Sequence, residues 1–289
     1  MQSIHNISFM QKGHLILCAC ACAVLLSSCA QKPATLTILH TNDTHSQVEP
    51  TNPGAEKNAD MGGYARRMGL IAMEREKDPN LLLLDAGDFS QGSPYFNYFR
   101  GRVEVDAMNR MGYDAATFGN HEFDNGLDTL AMLVRMARFP FVCANYDFTG
   151  TVLEGMVKPY VVINGAGLKI GVIGVGVSPD DLIAKENFGG IQYLEPLPVI
   201  NMTAQILRED KHCDLVVVLS HLGTDSPNGV SDLKLAEQMR GVDIVIGGHT
   251  HHVFCGERVT DADGHEVVLS QMGKSGMRVG KITVRFAED

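Results

Sequence analysis

The sequence predicts an α/β fold, with two packed mixed β-sheets flanked by helices in a single domain. Three observations carry that expectation. Unbroken apolar runs such as LLLLD and DLVVVLSH alternate with longer stretches of helical spacing, the pattern of buried strands covered by helices. The ending is rich in strands, which asks for more than one sheet. No internal repeat, low-complexity segment or composition break divides the chain.

In order along the chain, TLTILH alternates like a strand and runs into TNDTH. GGYARRMGLIAMEREK has helical spacing of Tyr64, Met68, Ile71 and Ala72. LLLLD is a buried strand that ends in AGDFSQGS. RVEVDAMNRMGY reads as a second helix, AATF as a strand, DTLAMLVRMARF as a third helix and PFVCAN as another strand. KIGVIGV and DLVVVLSH are buried strands on either side of the amphipathic PLPVINMTAQILRED, and DIVIGGH is a further strand. HEVVLSQM and VGKITVRF alternate like antiparallel strands joined through GKSGM. GVIGVGVS lacks the GxGxxG spacing of a dinucleotide fingerprint.

The chain of 289 residues is 45% hydrophobic and 20% charged, which is ordinary globular composition. A net charge of -10 without any Lys or Arg run argues against nucleic acid as a partner. Residues 1–28 read as a signal peptide, because LILCACACAVLLSSC is a short apolar run behind Lys12 and His14, too short to span a membrane. Met10 offers an alternative start. LSSC, ending at Cys29, resembles a bacterial lipoprotein cleavage box. That resemblance implies lipidation of Cys29, a tether over residues 29–34, and an exported, membrane-anchored, periplasmic protein whose catalytic domain is 35–289. Four of the seven cysteines, Cys18, Cys20, Cys22 and Cys29, belong to this leader. Cys143, Cys213 and Cys255 have no CxxC spacing and read as small buried apolar residues.

Five buried strands each release polar residues at their carboxyl ends, the edge where α/β sheets bind ligands. TLTIL is followed by His40, Asn42, Asp43 and His45, and LLLL by Asp85 and Asp88. Asn120, His121 and Glu122 follow AATF, His221 follows DLVVVLS, and His249, His251 and His252 follow DIVIGG. Asp, His and Asn without thiolate suit Zn, Mn or Fe, and their number suits two divalent metal ions rather than one structural zinc.

The strings HTNDTH, GGYARR, DAGD, GNHEFDNG and GGHTH together resemble the calcineurin-like metallophosphoesterases, and specifically the bacterial 5′-nucleotidase and UDP-sugar hydrolase family. The resemblance implies that Asp43, His45, Asp88 and His251 hold one metal. It implies that Asp88, Asn120, His221 and His249 hold the other, with Asp88 bridging. His121 would face the phosphoryl group, fixed by Asp124, while Glu122 would make only a structural hydrogen bond. His40 is expected in strand packing, and His252 at the surface or behind the ligands. The aromatic group Tyr95, Phe96, Tyr98 and Phe99 is expected to pack in the core or at its rim, with contact to a base or a partner as the other reading.

The function so implied is a two-metal hydrolase of phosphate esters, foremost a 5′-nucleotidase releasing phosphate from nucleoside monophosphates. The alternatives are a cyclic-nucleotide phosphodiesterase, a UDP-sugar pyrophosphohydrolase, or a catalytic subunit that depends on a separate nucleotide-binding chain. Family members commonly continue into a carboxyl-terminal domain that supplies the nucleotide pocket; here the sequence stops at Asp289, so that domain is expected to be absent.

Overall fold

The computed structural model describes residues 6–9, 35–180, 182–225 and 230–286. The residue expected to carry lipid, Cys29, and nearly all of the leader lie outside the described residues. In chain order the strands are β1 (Asn6–Phe9), β2 (Thr35–Thr41), β3 (Leu82–Asp85), β4 (Ala115–Ala116), β5 (Tyr146–Asp147), β6 (Tyr160–Gly165) and β7 (Leu168–Val175). They continue as β8 (Gln192–Tyr193), β9 (Leu215–Ser220), β10 (Ile244–Gly247), β11 (Val253–Thr260), β12 (Glu266–Met272) and β13 (Gly280–Phe286). The helices are α1 (Tyr64–Lys77), α2 (Pro94–Phe99), α3 (Arg102–Met111), α4 (Gly126–Met136), α5 (Lys185–Phe188), α6 (Pro196–Gln205) and α7 (Asp232–Ala236).

One sheet runs β1-β13-β2-β3-β4, the other β11-β12-β10-β9-β7-β6, and β5 pairs with β8 alone. Both large sheets are mixed, with parallel centres and antiparallel pairings such as β13 with β2 and β6 with β7. Alternation along each strand sorts the side chains into three apolar layers. Ile38, Leu82 and Leu84 meet Val172, Val217 and Ile244 between the sheets. Leu39 and Leu83 point the other way, onto Ile71 of α1 and Met108 of α3. Ile173, Val216 and Val218 face outward from the second sheet onto Ile200 and Ala204 of α6. Each fully buried aliphatic side chain contributes about 1.5–3 kcal/mol, so both faces of both sheets are fixed and the strand ends cannot slide.

Several elements depart from the sequence expectation. VGKITVRF and HEVVLSQM do not pair: β13 lies antiparallel beside β2, while β12 sits between β10 and β11 in the other sheet. PFVCAN forms isolated bridges at Phe141 and Val142 rather than a regular strand, and β4 covers only the first two residues of AATF. β6, β11 and α2 were not expected. In α1 the buried stripe is Tyr64, Arg67, Ile71 and Glu74, with Ala72 exposed. Glu74 tolerates burial because Lys77 and Lys281 each approach its carboxylate at 2.6 Å. Arg67 lies over the Tyr64 ring, 4.9 Å from its centroid. No residue of α2 is buried, and Tyr98 is 82% exposed, so the aromatic group stands at the rim and not in the core. Cys143 and Cys213 are buried as expected, whereas Cys255 is half-buried, and all three are free. Among the described residues, no helix is long and apolar enough to cross a membrane.

Candidate metal centre

The carboxyl ends of β2, β3, β9 and β10, with the loop after β4, bring all seven predicted ligands together. Three clusters form, each with its ligand atoms within 4.8 Å of one another: Asp43, His45 and His251; His45, Asp88 and His121; Asp88, His221 and His249. Asp88 and His45 each belong to two of them, and of this pair only the carboxylate has two oxygens to share. Asn120 joins the third, with its Oδ1 3.2 Å from His249 Nδ1.

The loops bend sharply to achieve this. Asp43, His45, Asp88, His249 and His251 all have positive φ, between 45° and 70°. Such a backbone costs non-glycine residues roughly 1 kcal/mol or more each, and persists only where surrounding contacts enforce it. For Asp43 those contacts are visible. Its N–H donates to Gly87 O at 2.9 Å, the His249 N–H donates to its carboxylate at 3.0 Å, and Asn42 Nδ2 donates to its Oδ2 at 2.6 Å. Asn42 is itself held by the Met272 N–H and the Gly273 carbonyl. The sequence assigns Asn42 no role of its own; its one signal is its place inside HTNDTH.

The donor chemistry fits cations. His45 Nε2 and His251 Nε2 stand 3.1 Å apart, and His251 Nε2 is 3.4 Å from Asp43 Oδ1. Two nitrogens bound to one cation at about 2.0–2.1 Å would be separated by about 3–3.4 Å. His221 donates from Nδ1 to the Ala86 carbonyl at 2.7 Å, which aims Nε2 at Asp88 Oδ2, 3.1 Å away. That Nε2 is buried without a hydrogen-bond partner. Burial opposes a charge on His221, yet the Asp88 and Asp43 carboxylates hold its pKa up at about 10. Burial likewise opposes the charge on Asp88, and His221 outweighs it, keeping that carboxyl below the usual range. The buried carboxylates call for positive charge. Gly119 passes tight against both groups: a Cβ there would lie 2.1 Å from Asp88 Oδ1 and 2.6 Å from His221 Nε2, so any side chain would displace them.

His121 stands at the edge, its ring 5.5 Å from that of His45. Its Nδ1 is 2.8 Å from Asp124 Oδ2, the partner the resemblance implies, and both side chains are about one-third exposed (30% and 33%). Burial works against protonation of His121, but the hydrogen bond to Asp124 and the Asp88, Asp124 and Glu122 carboxylates raise its pKa. Asn187 Nδ2 donates to the Asp124 carbonyl at 3.0 Å, tying the α5 loop to this pair, a contact of which the sequence carries no sign. Glu122 is buried and accepts the N–H groups of Asp88, Ser90 and Gly119. His40 is buried with Nε2 2.9 Å from Ser270 Oγ, and His252 is half-exposed, 3.5 Å from Asp225.

Comparison with known proteins agrees with the geometry. The family model described as calcineurin-like phosphoesterase matches residues 36–253. The snake venom 5′-nucleotidase of Naja atra is 33% identical over 280 residues, covering 87% of this chain and 50% of the relative. The crystal structure of a 5′-nucleotidase precursor from Thermus thermophilus superposes with a TM-score of 0.79 at 34% identity, over 88% of this chain and 52% of that one. The Haemophilus influenzae NAD nucleotidase superposes with a TM-score of 0.77 at 25% identity, over 89% and 48%. This chain spans about half the length of the curated relatives it matches.

Proposed function

The chain belongs to the calcineurin-like phosphoesterase family, and from that premise we propose that it is a two-metal phosphomonoesterase acting on nucleoside 5′-monophosphates. The observation that carries this reading is the convergence of the predicted ligands in three overlapping clusters, linked through His45 and Asp88. In this reading Asp43, His45 and His251 hold one divalent cation, His221, Asn120 and His249 hold the other, and Asp88 serves both. Manganese, zinc or iron would suit this nitrogen and oxygen donor set. The cations would supply charge for the phosphoryl oxygens and lower the pKa of water.

The chain's own groups do the rest. The Asp124 carboxylate accepts from His121 Nδ1–H, which leaves Nε2 as the atom that meets the substrate. Raised above its ordinary pKa, the ring can carry a proton near neutrality and release it to the departing alkoxide oxygen. Its exposure allows a phosphate ester to reach it, while the buried carboxylates stay shielded from bulk water. The names of the similar proteins support nucleotides as the substrate class. One similar structure is titled an NAD nucleotidase, which keeps a pyrophosphate substrate as the second reading.

We assign residues 1–28 to a lipoprotein signal, Cys29 to lipidation, and residues 29–34 to a tether that holds the domain at a membrane in the periplasm. Removal of the leader would take β1 with it and leave β13 as the sheet edge. The test is phosphate release by residues 30–289, reconstituted with manganese or zinc, on AMP and on p-nitrophenyl phosphate. Preference for AMP supports a nucleotidase with its own base recognition. Equal, slow hydrolysis would move recognition to a separately supplied nucleotide-binding chain, and no hydrolysis of either would refute the reading.

A further inference from the structure

Glu122 gathers four donors on one buried carboxylate. Oε2 accepts the N–H of Asp88 at 2.9 Å and of Gly119 at 2.6 Å. Oε1 accepts the N–H of Ser90 at 3.1 Å and its Oγ–H at 2.8 Å. A glutamate at this point of a turn could serve only to bind a nearby N–H, and Gly119 alone would satisfy that role. Asp88 and Ser90 belong to the loop after β3, more than thirty residues earlier, so the carboxylate spans two separate loops. One loop carries Asp88, which belongs to two of the three clusters; the other carries Asn120.

The same oxygen that joins Asp88 to Gly119 therefore sets the distance between those loops. The loops close so tightly that any Cβ at Gly119 would strike Asp88 Oδ1 and His221 Nε2, two of the atoms aimed at the cation subsite. We propose that Glu122 is a positioning residue that sets the width of the cation subsite formed by Asp88, Asn120, His221 and His249. This rests on the two-cation reading above and adds a residue that touches neither cation nor substrate. Charge-assisted bonds to backbone donors are strong and directional, so an amide, which accepts at only one end, must give up either the Asp88 and Gly119 donors that bridge the loops or the Ser90 donors that anchor the bridge.

The experiment is a manganese(II) titration of chelator-stripped protein followed by electron paramagnetic resonance, with thermal unfolding measured alongside. Wild-type protein is expected to take up two ions and show the signal of a coupled pair. Glu122→Gln is expected to weaken the second binding step ~10-fold and Glu122→Ala ~100-fold, the range for groups that orient metal ligands. The first step should weaken by less, so the ratio of the two affinities shifts. A general loosening of the fold would lower both steps together and leave the ratio unchanged, and that result overturns the proposal. If neither variant folds, Ser90→Ala removes one donor, and an expected fall of about threefold in the second step decides the matter in the same way. Wild-type protein that binds a single manganese ion would refute the two-cation reading itself, without reference to any variant.

Discussion

His40 gives the fold an acid-sensitive point that can be measured apart from the site. Its ring is fully buried in β2, Nε2 meets Ser270 Oγ, and Nδ1 has no partner. Burial alone pushes its pKa from 6.5 down to about 3. The unfolded chain therefore takes up a proton near pH 6.5, while the folded chain refuses it until about pH 3. Between those values the unfolded state binds more protons, so stability is complete above the unfolded pKa and falls as pH drops, by about 1.4 kcal/mol per unit. At pH ~5 the loss from this one group is about 2 kcal/mol. The perturbation is His40→Gln, which keeps a donor near Ser270 but cannot titrate. Urea unfolding of chelator-treated protein at pH ~7.5 and ~5 gives four stabilities whose double difference isolates the ring. Wild-type protein should lose about 2 kcal/mol more than the variant over that interval. Equal losses would mean that the folded protein protonates His40 freely, and the argument from burial would fail.

Other outcomes follow from the same contacts. His121→Asn should retain both metals by elemental analysis and lower turnover at least ~10²-fold, the scale of lost general acid catalysis; unchanged turnover would remove His121 from the mechanism. Gly119→Ala should place a methyl between Asp88 and His221 and lower bound metal to one ion or fewer per chain, measured after dialysis against manganese. Lys281→Met removes one of two ammonium groups that hold buried Glu74 below its ordinary pKa. Stability from that depressed pKa is present above pH ~4.5 and lost as pH falls, so the variant should show shallower acid destabilisation below that pH in a urea series.

The sequence announced the site better than it announced its supports. Aspartate, asparagine and histidine at strand ends carry their chemistry in their residue type, and the seven candidate ligands meet as the strand-end rule requires. Glu122 looked inert because three of its four donors are backbone N–H groups, which leave no mark in composition. The left-handed loops at Asp43, His45, Asp88, His249 and His251 were equally invisible, since those residue types do not demand positive φ as glycine often does. Strand alternation told which residues of VGKITVRF face inward but not which strand lies beside it. A short loop between two alternating runs suggested a hairpin. In the structure its Ser275 N–H instead donates to Asp43 O, and the chain passes to the other sheet. The charged stripe of α1 escaped notice because Glu74 is buried against Lys281 of distant β13 as well as Lys77 of its own helix, while Arg67 lies over the Tyr64 ring one turn away.

The pairing of β13 with β2 ties the order of folding to the order of synthesis. β2 feeds directly into the loop of Asp43 and His45, and its outer neighbour is the last described strand of the chain, with Lys281 opposite Leu39 and Ile282 opposite Ile38. Until that strand emerges, β2 has an open edge, and the connection whose Ser275 caps Asp43 does not exist. A growing chain thus holds most of its ligands long before it can close around a cation. In the two-cation reading, metal capture would wait on the pairing of β13 with β2, and a contact of such wide sequence separation is slow to form. A chain cut short before β13 should remain unable to load metal however much of the second sheet it has formed.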